Sequence, residues 1–177
     1  DGGVDLDKAR EWMLSDETLS DAFSKATVKK PKPVFEELVV ITDAALAAFV
    51  DPPEYALKSR GLTLEAAQTH ELKFDERRDL WIIPIRSMQT NKLLGWQEKG
   101  YRGRFFRNYP TGVPKSSGLY GYQAYSGGDM IVVESPLDVV RLESVGIKGG
   151  VATYGSHISK EQVQYLARAE RLIIAMD

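Results

Sequence analysis

The chain has 177 residues, 43% of them apolar, which allows one domain or two small ones around a packed core and excludes wholesale disorder. It has no cysteine, so disulfides and thiolate metal sites are excluded within this stretch, and the composition fits a reducing compartment. The formal net charge of −2 is unevenly spread: residues 86–115 hold seven basic side chains against Glu98 alone, leaving the remainder acidic.

In chain order, residues 1–30 are polar and helix-prone, with Asp5 as an N-cap and Leu6, Ala9 and Met13 on one stripe. The KKPKP run at 29–33 reads as a linker. A helix is expected from Phe35 to about Val50; this apolar stretch is interrupted by Thr42 and Asp43 and is too short to span a bilayer. Pro52 and Pro53 restart the chain into a short helix, EYALKSR, which Gly61 ends. LTLEAAQTH is a further helix with Thr63 as its cap.

The period then changes. ELKFD and LWIIPIRS read as strands, LLGWQEK pairs with the second across MQTNK, and RGRFFRNYP is extended. GLYGYQAY is compatible with a helical turn or a loop. From Asp129 the pattern alternates: MIVV strand, PLDVVRLESVG helix, GGVAT strand, SKEQVQYLARA helix, RLIIAMD strand. Such alternation predicts parallel strands with helical crossovers. Gly146 stops the first of these helices, and Ser159 with Gln162 forms a capping box on the second. The first residue, Asp1, is not Met, and Asp177 follows a hydrophobic run, so both ends read as cuts in a longer chain.

Two features carry chemistry. The basic stretch 86–115 is interleaved with Trp96, Tyr101, Phe105, Phe106 and Tyr109, a mixture suited to nucleic acid, where cations meet phosphates and aromatic faces meet bases. A solvated hairpin region is the plain alternative. Trp81, inside a strand, is expected in the core. The second feature is IVVESPLDVV, residues 131–140. Ligands collect at the carboxyl ends of parallel strands. Glu134 closes one such strand, Gly155 and Ser156 follow the next, and Asp177 closes the third. Pro136 suits the first helical position and Ser135 the N-cap, which sets Asp138 in the first turn near Glu134. Carboxylates gathered on one sheet edge repel unless a cation lies between them, and hard oxygen ligands suit Mg²⁺. Taken singly, each carboxylate also reads as an ordinary loop or helix-start residue. His70 and His157 lack partners at ligand spacing and are not read as metal ligands.

VVESPLDVVRL, VATYGSHIS and LIIAMD resemble the opening of a toprim domain, the catalytic fold of bacterial-type primases and several topoisomerases and nucleases. Upstream, YALKSRGL, WIIPIRS, LLGWQEKG, RFFRNYP and KSSGLYG occur in the order found in DnaG-like primases. The resemblance covers roughly residues 35–177. It implies an α+β basic N-terminal subdomain over residues 35–126, then the start of an α/β toprim domain at 127–177, with 1–34 as a helical tail and linker. It implies Mg²⁺-dependent (or Mn²⁺-dependent) synthesis of RNA primers from ribonucleoside triphosphates on single-stranded DNA. Glu134 and Asp138 take the catalytic positions, and Asp177 and Glu134 the metal positions. Arg60, Arg86, Lys99, Arg102, Arg104, Arg107, Asn108, Lys115, Gly155 and Ser156 take nucleic-acid or nucleotide positions. Lys99 stands where an arginine is usual, which keeps the charge and loses the fork.

The departures matter too. Ser135 replaces the family's glycine. The zinc ribbon is absent, so no zinc is expected here. The second aspartate of the family's Asp-x-Asp pair would be residue 179, so this stretch alone is expected to be inactive, with a continuation or partner chain completing the site. A replicative helicase is the implied partner, the setting is the bacterial cytoplasm, and a phage or divergent plasmid source accords with the missing ribbon. Two other readings remain: a type IA topoisomerase-like or other toprim nuclease segment, and a non-catalytic module that binds DNA or a helicase.

Overall fold

The structure, a computed structural model, describes residues 41–176. The tail and linker expected over residues 1–34, the start of the helix expected from Phe35 and the terminal Asp177 lie outside the described residues.

Among the described residues three short helices come first: α1 (Asp43–Leu46), α2 (Glu54–Arg60) and α3 (Leu64–Thr69). α1 is a single turn rather than a helix running to Val50. Val50 instead bridges Phe74 in extended geometry, and the next residue, Asp51, precedes a proline and is biased away from helix. Pro52 and Pro53 precede α2, where missing N–H groups cost nothing. Gly61 ends it in the left-handed conformation, φ 62°, with its N–H on the Leu57 and Lys58 carbonyls. The Thr63 hydroxyl caps α3, accepting from the Ala66 N–H at 3.2 Å.

Four antiparallel strands follow: β1 (Lys73–Asp75), β2 (Leu80–Arg86), β3 (Leu93–Gly100) and β4 (Phe106–Tyr109), in the order β1-β2-β3-β4. Side chains alternate between the two faces. On one face Trp81, Ile83 and Ile85 join the main core with Leu57 of α2 and Ala66 and Ala67 of α3. On the other, Leu80, Ile82, Leu93 and Trp96 pack under Leu46 of α1. Trp81 is fully buried, as expected.

The second sheet is parallel. It holds β5 (Asp129–Val133), β6 (Gly150–Ala152) and β7 (Arg171–Ala175) in the order β6-β5-β7, with α4 (Pro136–Ser144) and α5 (Lys160–Leu166) as crossovers. Ile131 and Val133 face α4 and the main core, while Met130 and Val132 face Tyr165 and Leu166 of α5. The helices therefore cover opposite faces. Both bonds of the expected capping box form: the Gln162 N–H donates to the Ser159 hydroxyl at 3.1 Å, and the Ser159 N–H to the Gln162 side chain at 2.8 Å. β7, at the edge, leaves Leu172, Ile173 and Ile174 exposed.

The ambiguous stretch GLYGYQAY is a stitch between the sheets. Two 3-10 turns, Lys115–Ser117 and Tyr122–Ala124, flank an extended piece in which Gly118 bridges Ser87 and Tyr120 bridges Ala152. Gly121 (φ 84°) passes so close to β6 that a Cβ there would overlap the Gly150 carbonyl oxygen. The chain thus has the mixed architecture expected: an α+β region followed by the start of an α/β one. The main core runs through both, since Val133, Leu137, Val139 and Val140 pack with the residues of α2, α3 and β2.

Candidate active site

β5 runs straight into Glu134. Ser135 then adopts extended geometry (φ −99°, ψ 130°) at the N-cap position, and Pro136 opens α4. The Ser135 hydroxyl does not cap the helix; it accepts from Lys99 Nζ at 3.4 Å. The Asp138 N–H closes the first turn on the Ser135 carbonyl at 2.9 Å. Glu134 and Asp138 line one cleft, together with Gln97 and Lys99 of β3, Phe106 of β4 and Tyr154 and Gly155, which follow β6. The carboxyl ends of two parallel strands therefore meet one strand pair of the other sheet.

The charges here balance without closing into tight pairs. Lys99 is half-buried; burial, followed by the positive charge of Arg60, pushes its ammonium below the usual lysine range, and Asp138 and Glu134 pull the other way. Among the described residues no three acidic or imidazole groups are gathered to hold a metal ion. Two carboxylates in a water-accessible cleft nevertheless fit Mg²⁺, which is held through one or two carboxylates, its own waters and substrate phosphates.

Strand register divides the expected nucleic-acid residues between two faces. Across β3 and β4, Gln97 faces Asn108, Glu98 faces Arg107 and Lys99 faces Phe106. Alternation puts Gln97, Lys99, Phe106 and Asn108 on the cleft side and Trp96, Glu98, Arg107 and Tyr109 on the other. There Glu98, 1% exposed, receives two guanidiniums. Arg78 donates to its two oxygens at 3.0 and 3.1 Å, Arg107 Nε donates at 3.1 Å, and Trp96 Nε1 adds a bond at 3.2 Å. Burial alone would raise the Glu98 carboxyl, but the bonds from Arg107, Arg78 and Trp96 outweigh it and hold it below the usual range. Arg86 is likewise committed, its fork on Glu71 at 2.5 and 2.8 Å and its outer nitrogen also on Asp43 at 2.6 Å.

Arg102 and Arg104 are exposed beside the exposed rings of Phe105 and Phe106, with Arg102 lying over the Tyr101 ring at 5.5 Å. The buried Asn108 Oδ1 has no hydrogen-bond partner among the described residues. Lys115, Gly155 and Ser156 line a second cleft, which His157 shares. His70 is instead buried against Tyr120, its Nε2 3.7 Å from Glu143, so the two histidines serve different surroundings.

Two residues support the cleft without a clear signal in the sequence. Tyr154 adopts a left-handed backbone, φ 61°, uncommon for a bulky residue. Its buried hydroxyl donates to the Pro84 carbonyl at 2.7 Å, and its own carbonyl accepts from Gln97 Nε2 at 3.2 Å. The one clue is Pro84, a proline inside a strand: β1 pairs only as far as Ile82, so among the described residues Pro84 has no neighbour strand on that side.

A family model for the toprim domain matches residues 128–177. A curated DNA primase from Synechocystis sp. is 34% identical over 125 residues, which is 66% of this chain and 19% of that protein. Among solved structures, a DnaG primase catalytic domain bound to single-stranded DNA superimposes with a TM-score of 0.62 at 18% identity, over 75% of this chain and 58% of that one. The primase fragment of the bacteriophage T7 primase-helicase protein gives 0.58 at 20% identity, over 68% of this chain and 53% of that one. At such identity the structural likeness speaks to fold, and the chain spans less than two thirds of each of these proteins. Sequence and fold agree: residues 128–177 match the toprim domain, and the fold is like that of DnaG primase catalytic cores.

Proposed function

We propose that this chain is part of the polymerising core of a DNA primase, which joins ribonucleotides into short primers on single-stranded DNA. The supporting observation is the cleft where Glu134, Asp138 and Lys99 meet at the carboxyl ends of parallel strands. Nucleotidyl transfer joins a 3′-hydroxyl to an α-phosphate and releases pyrophosphate; its demands are alignment and charge neutralisation. Glu134 and Asp177 would hold Mg²⁺ or Mn²⁺, which when bound supplies charge neutralisation at the phosphates. Glu134 also assists removal of the hydroxyl proton, and Asp138 supports it. Lys99 and Arg60 offset phosphate charge directly. Phe105 and Phe106 offer faces for stacking, and Arg102, Arg104 and Asn108 flank them along the template. Arg86 and Arg107 are left out of this track because their guanidiniums are bound to the chain's own carboxylates.

On this reading residues 35–126 form the basic subdomain, 127–177 the opening of the toprim domain and 1–34 a tail. The exposed apolar residues of β7 favour a further segment or partner chain that covers that edge. Single-stranded DNA, ribonucleoside triphosphates and a replicative helicase are the partners, in the bacterial cytoplasm. Among the described residues no helix is long and apolar enough to cross a membrane. The test is primer synthesis on single-stranded DNA by these 177 residues and by a longer protein that contains them. We expect synthesis from the longer protein alone, and its loss in Glu134→Gln. Tight DNA binding with no synthesis by the longer protein would make this a binding module instead.

A further inference from the structure

The carboxylate cleft and the second cleft share Tyr154 and Gly155. Lys115 lines the second and opens the 3-10 turn Lys115–Ser117. A turn this short has little rigidity of its own, so the direction of the lysine depends on what holds the turn. Part of that hold comes from the start of α5. The Ser159 hydroxyl donates to the Ser116 carbonyl at 3.0 Å, and the Ser117 hydroxyl donates to Glu161 at 3.0 Å. The Met88 N–H, beyond the end of β2, donates to the Ser117 carbonyl at 3.0 Å. Gln162 adds something these do not. Its side chain, 1% exposed, spends its oxygen on the capping box, accepting from the Ser159 N–H at 2.8 Å. Its Nε2 donates to the Gly118 carbonyl at 2.8 Å, and the carbonyls of Lys115 and Thr153 each lie 3.5 Å from the same nitrogen. Those carbonyls belong to the two ends of the turn and to the residue that follows β6. Among the described residues Gln162 alone bonds both the turn and the Thr153 carbonyl.

A capping box needs only the acceptor and takes glutamate or glutamine alike. A glutamate at 162 would set a buried carboxylate against three carbonyl oxygens, so the amide is demanded by the turn and not by the helix. We propose that Gln162 is a positioning residue for nucleotide binding: its amide fixes the Lys115 turn against the strand end that leads into Tyr154 and Gly155, and so aims the Lys115 ammonium. This rests on the polymerising role proposed above, in which Lys115 faces a nucleotide. Gln162 is itself buried and touches no substrate; it acts through Lys115.

The test is a double-variant cycle in the binding of ATP with Mg²⁺ to the 177-residue chain, measured by calorimetry. Lys115→Gln should weaken binding about three- to tenfold. Gln162→Met, similar in size but without the amide, should weaken it about threefold or more. The double variant should bind within about twofold of Lys115→Gln, because a turn without its ammonium has nothing left to aim. A residue that only supports the fold would give no loss, or losses that multiply. A second variant, Gln162→Glu, keeps the cap acceptor and serves where Gln162→Met fails to fold. In it the amide exchange of Gly118, whose N–H bonds the Lys115 carbonyl at 3.1 Å, should rise about fivefold while the centre of β5 keeps its protection. The proposal is overturned if Gln162→Met binds ATP as tightly as the parent, if the two losses multiply, or if Lys115→Gln has no effect. Unchanged Gly118 exchange in Gln162→Glu overturns it too, as does a parent chain that binds no ATP. Primer synthesis by the longer protein decides the polymerase reading separately, so the two failures are told apart.

Discussion

The two faces of the β3–β4 pair treat charge in opposite ways. On the outer face Glu98 is closed between Arg78 and Arg107, in the same way as Arg86 at the end of β2 is closed on Glu71 and Asp43. On the cleft face Lys99, Arg60, Glu134 and Asp138 influence one another without such contacts among the described residues, and there Lys99 reaches only the Ser135 hydroxyl. Charges matched at contact distance hold strands together. Charges gathered but left open are ready for a ligand. Neighbouring residues one step apart, Arg107 and Asn108, fall on different sides of that division.

The largest effect expected from this contrast is catalytic. In a longer, active protein, Glu134→Gln should cut primer synthesis by roughly a hundredfold or more while leaving the unfolding transition in place. Synthesis within about threefold of the parent would dissolve the distinction between the faces.

The outer face should respond in stability. Glu98→Ala removes the shared acceptor and leaves two partly exposed guanidiniums without it, at a cost of roughly 2–3 kcal/mol in urea unfolding. A loss under about 0.5 kcal/mol would mean the pair contributes little. The same carboxyl predicts a pH signature. Its folded-state affinity for protons is lowered, so its stabilisation is complete above the ordinary glutamate value of 4.5 and fades as the pH falls below it. Glu98→Gln should flatten that acid limb of the stability–pH curve.

The smallest effect is the sharpest comparison. Lys99→Ala should weaken single-stranded DNA binding a few-fold at low salt and reduce the log–log salt slope by roughly 0.7. Arg107→Ala should lower stability and leave that slope unchanged. Equal losses of slope in both would show that the outer face also carries template.

How much of this is legible in the sequence depends on the range of the interaction. The βαβ part reads directly, because Pro136 at the helix start, Gly146 after it and the Ser159–Gln162 box are local devices, and all of them form. The shared cleft of Glu134 and Asp138 follows from the same local logic. The division of the basic stretch does not. β4 is four residues long, too short for its alternation to name a face, and the fate of Arg107 is set by Glu98 across the ladder and by Arg78, 20 residues away from that glutamate. Ser135 reads as a capping residue, but its hydroxyl is taken by Lys99, 36 positions earlier. Tyr154 is hidden for a like reason: its hydroxyl partner, the Pro84 carbonyl, lies 70 residues back.

That tyrosine has a mechanical consequence. Its phenol grips β2 and its carbonyl grips Gln97 of β3, so the wall between the clefts is moored at both ends to the antiparallel sheet. The spacing between the two clefts is then a fixed gauge rather than a hinge. Tyr154→Phe, which cuts one mooring and keeps the ring, should blur both compartments at once, raising the amide exchange of Ala152, whose N–H is bonded to the Tyr120 carbonyl, before any global loss of structure.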